Sequence, residues 1–193
     1  MSSNMIRPGK TTKESIVDIA DELFYQKGYE KTSFSDIAHE VGITRGNFYH
    51  HFKSKDDILA SVIERRLENT AQMLNQWQEE GQSASARIEC FIKILIMNRA
   101  KITLYGCPVG TLTTELSKLD HPLLESANEV FLLFSNWLEK QFLALGHKEQ
   151  AKDLALHLLA RSQGVATLAS AFHDEDFLYK EVETLKEWLH QYH

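Results

Sequence analysis

The chain has 193 residues, 43% of them hydrophobic, enough to bury a core in one domain of ordinary size or two small ones. Two cysteines, Cys90 and Cys107, exclude a disulfide framework, and the densest apolar runs, ILIM at 94–97 and VFLLF at 130–134, are far shorter than a membrane span. With nothing resembling a signal peptide, a cytoplasmic protein without a membrane partner is expected. The net charge of -6 argues against nucleic acid, yet residues 1–55 hold eight Lys and Arg against seven Asp and Glu, leaving thirteen against twenty for the rest.

Apolar residues recur at three and four spacing, alternating runs are few, and the chain reads as all-α. Thr11 with Glu14 makes a capping box for a first helix, whose Ile16, Ile19, Ala20, Leu23 and Phe24 share a face until Gly28. Thr32 or Ser33 caps a short second helix carrying Phe34, Ile37, Ala38 and Val41, and Gly42 turns the chain into a third capped by Thr44. A longer fourth helix starts at Ser54 and runs through Ile58, Leu59, Val62, Ile63, Leu67, Leu74 and Trp77 to the polar break EEGQSAS at 79–85. Ile88, Phe91, Ile92 and Leu95 form another helix, after which the glycines and proline of KITLYGCPVG at 101–110 are expected to interrupt helicity. Asp120 and Pro122 suit the start of a helix towards Gly146, and two last helices cover roughly 147–172 and 175–191.

The stretch GITRGNFYHHFKSK at 42–55 contains no acid. In a helix beginning after Thr44, Phe48 and Phe52 stand four apart and are expected in the core, while Arg45, Gly46, Tyr49 and His50 project from the other face with Asn47 close by. Such a face suits the major groove: Arg reads guanine and Asn adenine by bidentate bonds, and Gly46 permits close approach. Tyr49, His50 and Lys55 are placed to meet phosphates, Lys55 in the first turn of the next helix. The alternative on spacing alone is a tight three-helix packing unit with a solvated polar face.

The run GYEKTSFSDIAHEVGITRGNFYHHFKSKDDIL, from Gly28 to Leu59, resembles the DNA-binding signature of the TetR family of bacterial repressors. It shares the TS pair, the IA pair, the Gly42 turn, the Gly46, Tyr49 and Phe52 spacing and the SK that opens the fourth helix. The resemblance implies an amino-terminal helix-turn-helix domain over residues 1–55, joined to a ligand-binding and dimerisation domain over 56–193. It also implies a homodimer that reads an inverted-repeat DNA operator and is released by a small-molecule inducer; the fourth helix, shared by both domains, is the expected lever. The candidate DNA-facing set is Thr32, Ser33, Thr44, Arg45, Gly46, Asn47, Tyr49, His50 and Lys55.

By the same resemblance the last two helices pair with their copies as a four-helix bundle. The Ala, Gly and Ser of DLALHLLARSQGVATLASAF allow close approach, and Phe177, Leu178, Val182, Leu185 and Leu189 make an apolar stripe; packing within one monomer is the alternative. The stretch LYGCPVGTLTTEL resembles a subgroup in which a Gly-Cys turn lies beside the ligand cavity. Cys107, next to a helix start, is a candidate electrophile or redox sensor, or a small residue of the pocket wall. Tyr105, Phe131, Phe134 and Trp137, with Phe172, are candidate cavity aromatics. No metal or cofactor is expected, since the nine histidines show no paired ligand pattern beyond His190 and His193 near the chain end. Two other functions compete: an enzyme with Cys107 as nucleophile and His121 or His157 as base, which lacks an orienting residue and an anion hole, and a sequence-independent DNA-coating protein, which the acidic second domain disfavours.

Overall fold

Side-chain caps decide where the first helices begin. In the computed structural model, which describes residues 11–192, Thr11 and Glu14 exchange bonds to open α1 (Thr12–Lys27), and Ser33 and Asp36 do the same for α2 (Phe34–Val41). Thr44 accepts from the Asn47 N–H to start α3 (Arg45–His51). Ser54 accepts from the Asp57 N–H at 3.0 Å to start α4 (Lys55–Glu80), and Asp57 reaches back to the Ser54 N–H. There follow α5 (Ala84–Met97), α6 (Arg99–Tyr105), α7 (Pro108–Lys118), α8 (Leu124–Ala144), α9 (Ala151–Phe172) and α10 (Glu175–Leu189). The fold is all-α, with no strand among the described residues.

The stretch expected to interrupt helicity does so over two residues only. Lys101–Tyr105 completes α6, which ends where Gly106 takes φ 78° and its N–H donates to the Ile102 carbonyl. Pro108 then opens α7 instead of breaking a helix, because the first helical residue has no intrahelical use for an N–H.

Packing divides the chain into two compact units. One comprises the described chain to Leu67 with residues 111–127, and the other residues 68–110 with 128–192, so that α4 and α7 each contribute to both. In the first unit, Ile16, Ala20, Ile37, Val41, Phe48 and Phe52 interlock with Ile58 and Val62 of α4 and Leu116 of α7. Phe48 is 1% exposed, and truncating so large a buried ring to alanine costs about 3–5 kcal/mol. Arg65 pairs with Asp18, and Arg66 donates to Asp21 at 2.8 Å, which fastens α4 along α1.

In the second unit α9 packs on α6, α5 and α10, and α10 lies on α5. The apolar stripe of the last helix is used here: Leu178, Val182, Leu185 and Leu189 are all within 1% of full burial inside the monomer. The stripe therefore belongs to the single-chain core, the alternative left open for it, because α5 and α9 supply its partners. The outward face of α10 carries Tyr179, Lys180, Glu183 and Glu187.

Candidate nucleic-acid interface and interior cavity

The turn before α3 is built on backbone geometry. Gly42 adopts φ 77° and ψ 31°, and the Ile43 N–H donates to the Ala38 carbonyl at 3.1 Å, a helix stop that satisfies the end of α2 while swinging α3 across it. Phe48 and Phe52 anchor α3 from below. Thr44, Arg45, Gly46, Asn47, Tyr49 and His50 are all exposed.

These exposed groups are partly ordered. Arg45 donates through Nη2 to the Ser35 hydroxyl at 2.6 Å, which ties the guanidinium to α2 and leaves its other donors available. Tyr49 stacks on Phe34 at 5.7 Å between ring centroids, with Phe34 itself edge-on to Phe48. Gly46 stands apart: a Cβ there would meet nothing within 4 Å, so nothing in the chain's own packing requires a glycine. Glycine costs a helix roughly 0.5–1 kcal/mol relative to alanine, and here the fold receives nothing for it.

Two of the sequence-derived DNA-facing residues are occupied inside the unit. Thr32 is fully buried, and its hydroxyl donates to the Gly28 carbonyl at 2.7 Å, so it shapes the α1–α2 turn and has no surface to offer. Lys55 donates to the carbonyls of Tyr29 at 3.0 Å and Glu30 at 3.4 Å, with its ammonium 4.1 Å from the Tyr29 ring centre. Its charge is thus held at a fixed place at the start of α4. Ser33 is exposed, but its hydroxyl and N–H both donate to Asp36. These bonds, the hydroxyl's first, hold the Asp36 carboxyl below its usual range.

Sequence reasoning missed Glu115. Its carboxylate accepts from the N–H groups of Tyr29 and Glu30, both at 2.9 Å, and closes over Gly28, where φ is +90° and an added Cβ would lie 2.9 Å from the carboxylate. Beside it Tyr29 donates its hydroxyl to Asp56. Burial first, then that bond, raises the hydroxyl far above the usual tyrosine range, so it stays a donor. His121 accepts from the Leu123 N–H through Nδ1 and sets Nε2 3.6 Å from Asp56. The turn entering the helix pair is therefore held by α7, 85 residues away in sequence; no local pattern signals such a contact.

The second unit contains a cavity of about 130 Å³ bordered by α5, α6, the start of α7, α8 and α9. Cys107, Phe131 and Phe134 line it; Tyr105 and Trp137 do not, Trp137 packing instead on Trp77 at 5.8 Å. Phe172 is 68% exposed at the end of α9. The Cys107 sulfur accepts from the Gly110 N–H at 3.5 Å in the first turn of α7. His121 bonds Leu123 and faces Asp56 and the Tyr29 ring, and His157 lies against Trp188, so neither is set as a base for Cys107. Among the described residues no group of three His, Cys, Asp or Glu could hold a metal, and His193 lies outside them. No helix among the described residues is long and apolar enough to cross a membrane.

An acid-free helix held outward behind a glycine turn has the form of a helix-turn-helix reader, and comparison with known proteins assigns the class. Residues 16–62 match bacterial regulatory proteins of the tetR family, and residues 84–183 match the C-terminal domain described as transcriptional regulator LmrA/YxaF-like. The HTH-type transcriptional regulator in the lacX 3' region of Lactococcus lactis subsp. lactis is 30% identical over 181 residues, 92% of each chain. The HTH-type regulator LmrA of Bacillus subtilis strain 168 is 26% identical over 156 residues, 79% of this chain and 83% of that one. A TetR transcriptional regulator of Legionella pneumophila superposes with a TM-score of 0.82 at 26% identity, covering 96% of this chain and 98% of that one. The chain belongs to the TetR family of bacterial transcriptional regulators, and its relatives are regulators rather than enzymes.

Proposed function

We propose that the protein is a ligand-responsive transcriptional repressor, with residues 1–55 as reader and the remainder as sensor and dimerisation domain. It binds an inverted-repeat operator as a homodimer and leaves it when an inducer occupies the second unit. The observation that carries this reading is the exposed face of α3, where Arg45, Asn47, Tyr49 and His50 surround a glycine that the fold itself does not need. Two copies reading successive major grooves need their α3 helices about 34–36 Å apart. The outward face of α9 supports pairing: Leu156, Ala160, Gly164 and Leu168 are exposed at four-residue spacing, and a Cβ on Gly164 would meet nothing within 4 Å. An inducer that prefers a dimer with another spacing weakens DNA binding by its differential affinity, on the order of 1–3 kcal/mol. α4 and α7 are the candidate levers, since both units contain part of each.

Titration against DNA flanking the protein's own gene and against random DNA of equal length, at two salt concentrations, tests the reader. A preference of about a thousandfold is expected for sequence-specific regulation. Equal affinity for both, with no sequence enriched from a random pool, would leave a DNA-coating protein. A second reading of the sensor rests on Cys107, whose sulfur borders the cavity and accepts an N–H at a helix start. If an electrophile is the inducer, Cys107→Ser abolishes the response and spares DNA affinity; a variant that still lets go of DNA on treatment refutes the thiol mechanism.

A further inference from the structure

The interior cavity has a chemistry that restricts its occupant. Its volume of about 130 Å³ is close to the roughly 150 Å³ of an apolar cavity that admits benzene. Pockets for drug-sized ligands start at about 300 Å³. Its walls are aliphatic side chains and the rings of Phe91, Phe131 and Phe134, with Phe91 edge-on to Phe134 at 5.5 Å. Among the described residues no Lys, Arg, His, Asp or Glu borders it. A carboxylate or ammonium group entering such a site loses its hydration and meets no opposite charge.

The polar groups on the wall differ in what they can still do. Asn98 donates its side-chain N–H to the Ile94 carbonyl at 3.0 Å, capping its own helix. Ser162 and Gln163, adjacent on α9, form the polar spot. The Ser162 hydroxyl donates to the Leu159 carbonyl at 2.7 Å, so its hydrogen is committed and towards any further group its oxygen can only accept. The Gln163 carboxamide is wedged where Gly110 has no side chain, since a Cβ there would lie 2.4 Å from its oxygen. That wedge fixes the carboxamide, whose nitrogen makes a long 3.5 Å contact to Ser162. One acceptor and one donor thus stand together on an otherwise apolar wall.

We propose that the cavity takes a neutral single-ring molecule, apolar but for one uncharged hydrogen-bonding group seated on Ser162 and Gln163, and rejects charged molecules of the same size. Its role as inducer pocket rests on the function proposed above, whereas its selectivity is measurable without DNA. Isothermal titration of the full-length protein, under reductant, compares toluene, p-cresol, p-toluate and 4-methylbenzylammonium, with p-toluamide and 4-methylbenzyl alcohol as uncharged counterparts that match the two ions in size and must outbind them. Toluene and p-cresol bind, p-cresol about fivefold tighter for one neutral hydrogen bond, and the two ions bind at least about a hundredfold more weakly. Gln163→Leu lowers p-cresol to the level of toluene; should that variant fail to fold, Ser162→Ala makes the same comparison. Either ion binding within tenfold of p-cresol, or no probe binding at all, overturns the proposal. If p-cresol binds with the expected selectivity and DNA affinity stays unchanged, the cavity assignment stands and its role as inducer pocket falls.

Discussion

Replacing Gly46 by alanine separates folding from DNA reading. In the free protein the new methyl group meets nothing within 4 Å, and the backbone there is not in the left-handed region. The variant should therefore fold as the parent does and gain up to about 1 kcal/mol from the better helix former, raising a thermal midpoint by roughly 2–4 °C. If α3 enters the groove as proposed, the same methyl would occupy the space through which it approaches DNA. A loss of at least about tenfold in affinity, or ~1.4 kcal/mol, is expected for the preferred site. Differential scanning calorimetry and a fluorescence titration on the same preparation give both numbers. A variant that is more stable and binds DNA as tightly as the parent would refute the idea that close approach explains this glycine.

Glu115→Gln leaves one of the two N–H groups at Tyr29 and Glu30 facing an amide N–H, and should cost about 1–3 kcal/mol by denaturant unfolding; no loss would mean the turn holds itself. Lys55→Met keeps the stem and removes the charge. It should weaken binding to all DNA sequences alike and lower the salt slope by about one, whereas an unchanged slope would confine Lys55 to the carbonyls it already binds. The folded pKa of Asp36 is depressed, so its contribution to stability is complete above the unfolded value of about 3.9 and vanishes as pH falls through the folded one. Asp36→Asn should thus be less stable than the parent near neutrality and converge with it in acid, and a gap that persists to the lowest pH would contradict the cap. Gly164→Glu places a charge on the outward face of α9 without touching the chain's own packing, and should convert dimers to monomers in light scattering; dimers of undiminished strength would move the interface elsewhere.

What the sequence made legible was local. Thr11, Ser33, Thr44 and Ser54 mark helix starts because a cap is a contact across three residues, and Phe48 and Phe52 mark a buried face because helical period alone puts them together. Pro108 was harder, since proline both breaks and begins helices, and the difference lies in the turn at Gly106. Contacts between distant segments were not legible. Glu115 in TLTTEL looks like any exposed helical acid until the turn at 28–30 is seen beneath it. The cavity followed the same rule: Phe131 and Phe134 were candidates as aromatics of the second domain and Cys107 through the resemblance of its turn, but Ser162 and Gln163 face it only because of how α9 crosses α6.

The carboxylate of Glu115 has one more consequence. Backbone amides in a surface turn ordinarily trade their hydrogens with solvent quickly, whereas those of Tyr29 and Glu30 are each held by a carboxylate oxygen. In deuterated buffer these two sites will keep their protons while neighbouring turn amides lose them, and they will surrender them together whenever α7 lets go. The molecule thus carries a native clock on the entrance to its helix pair, readable by spectroscopy with no label attached.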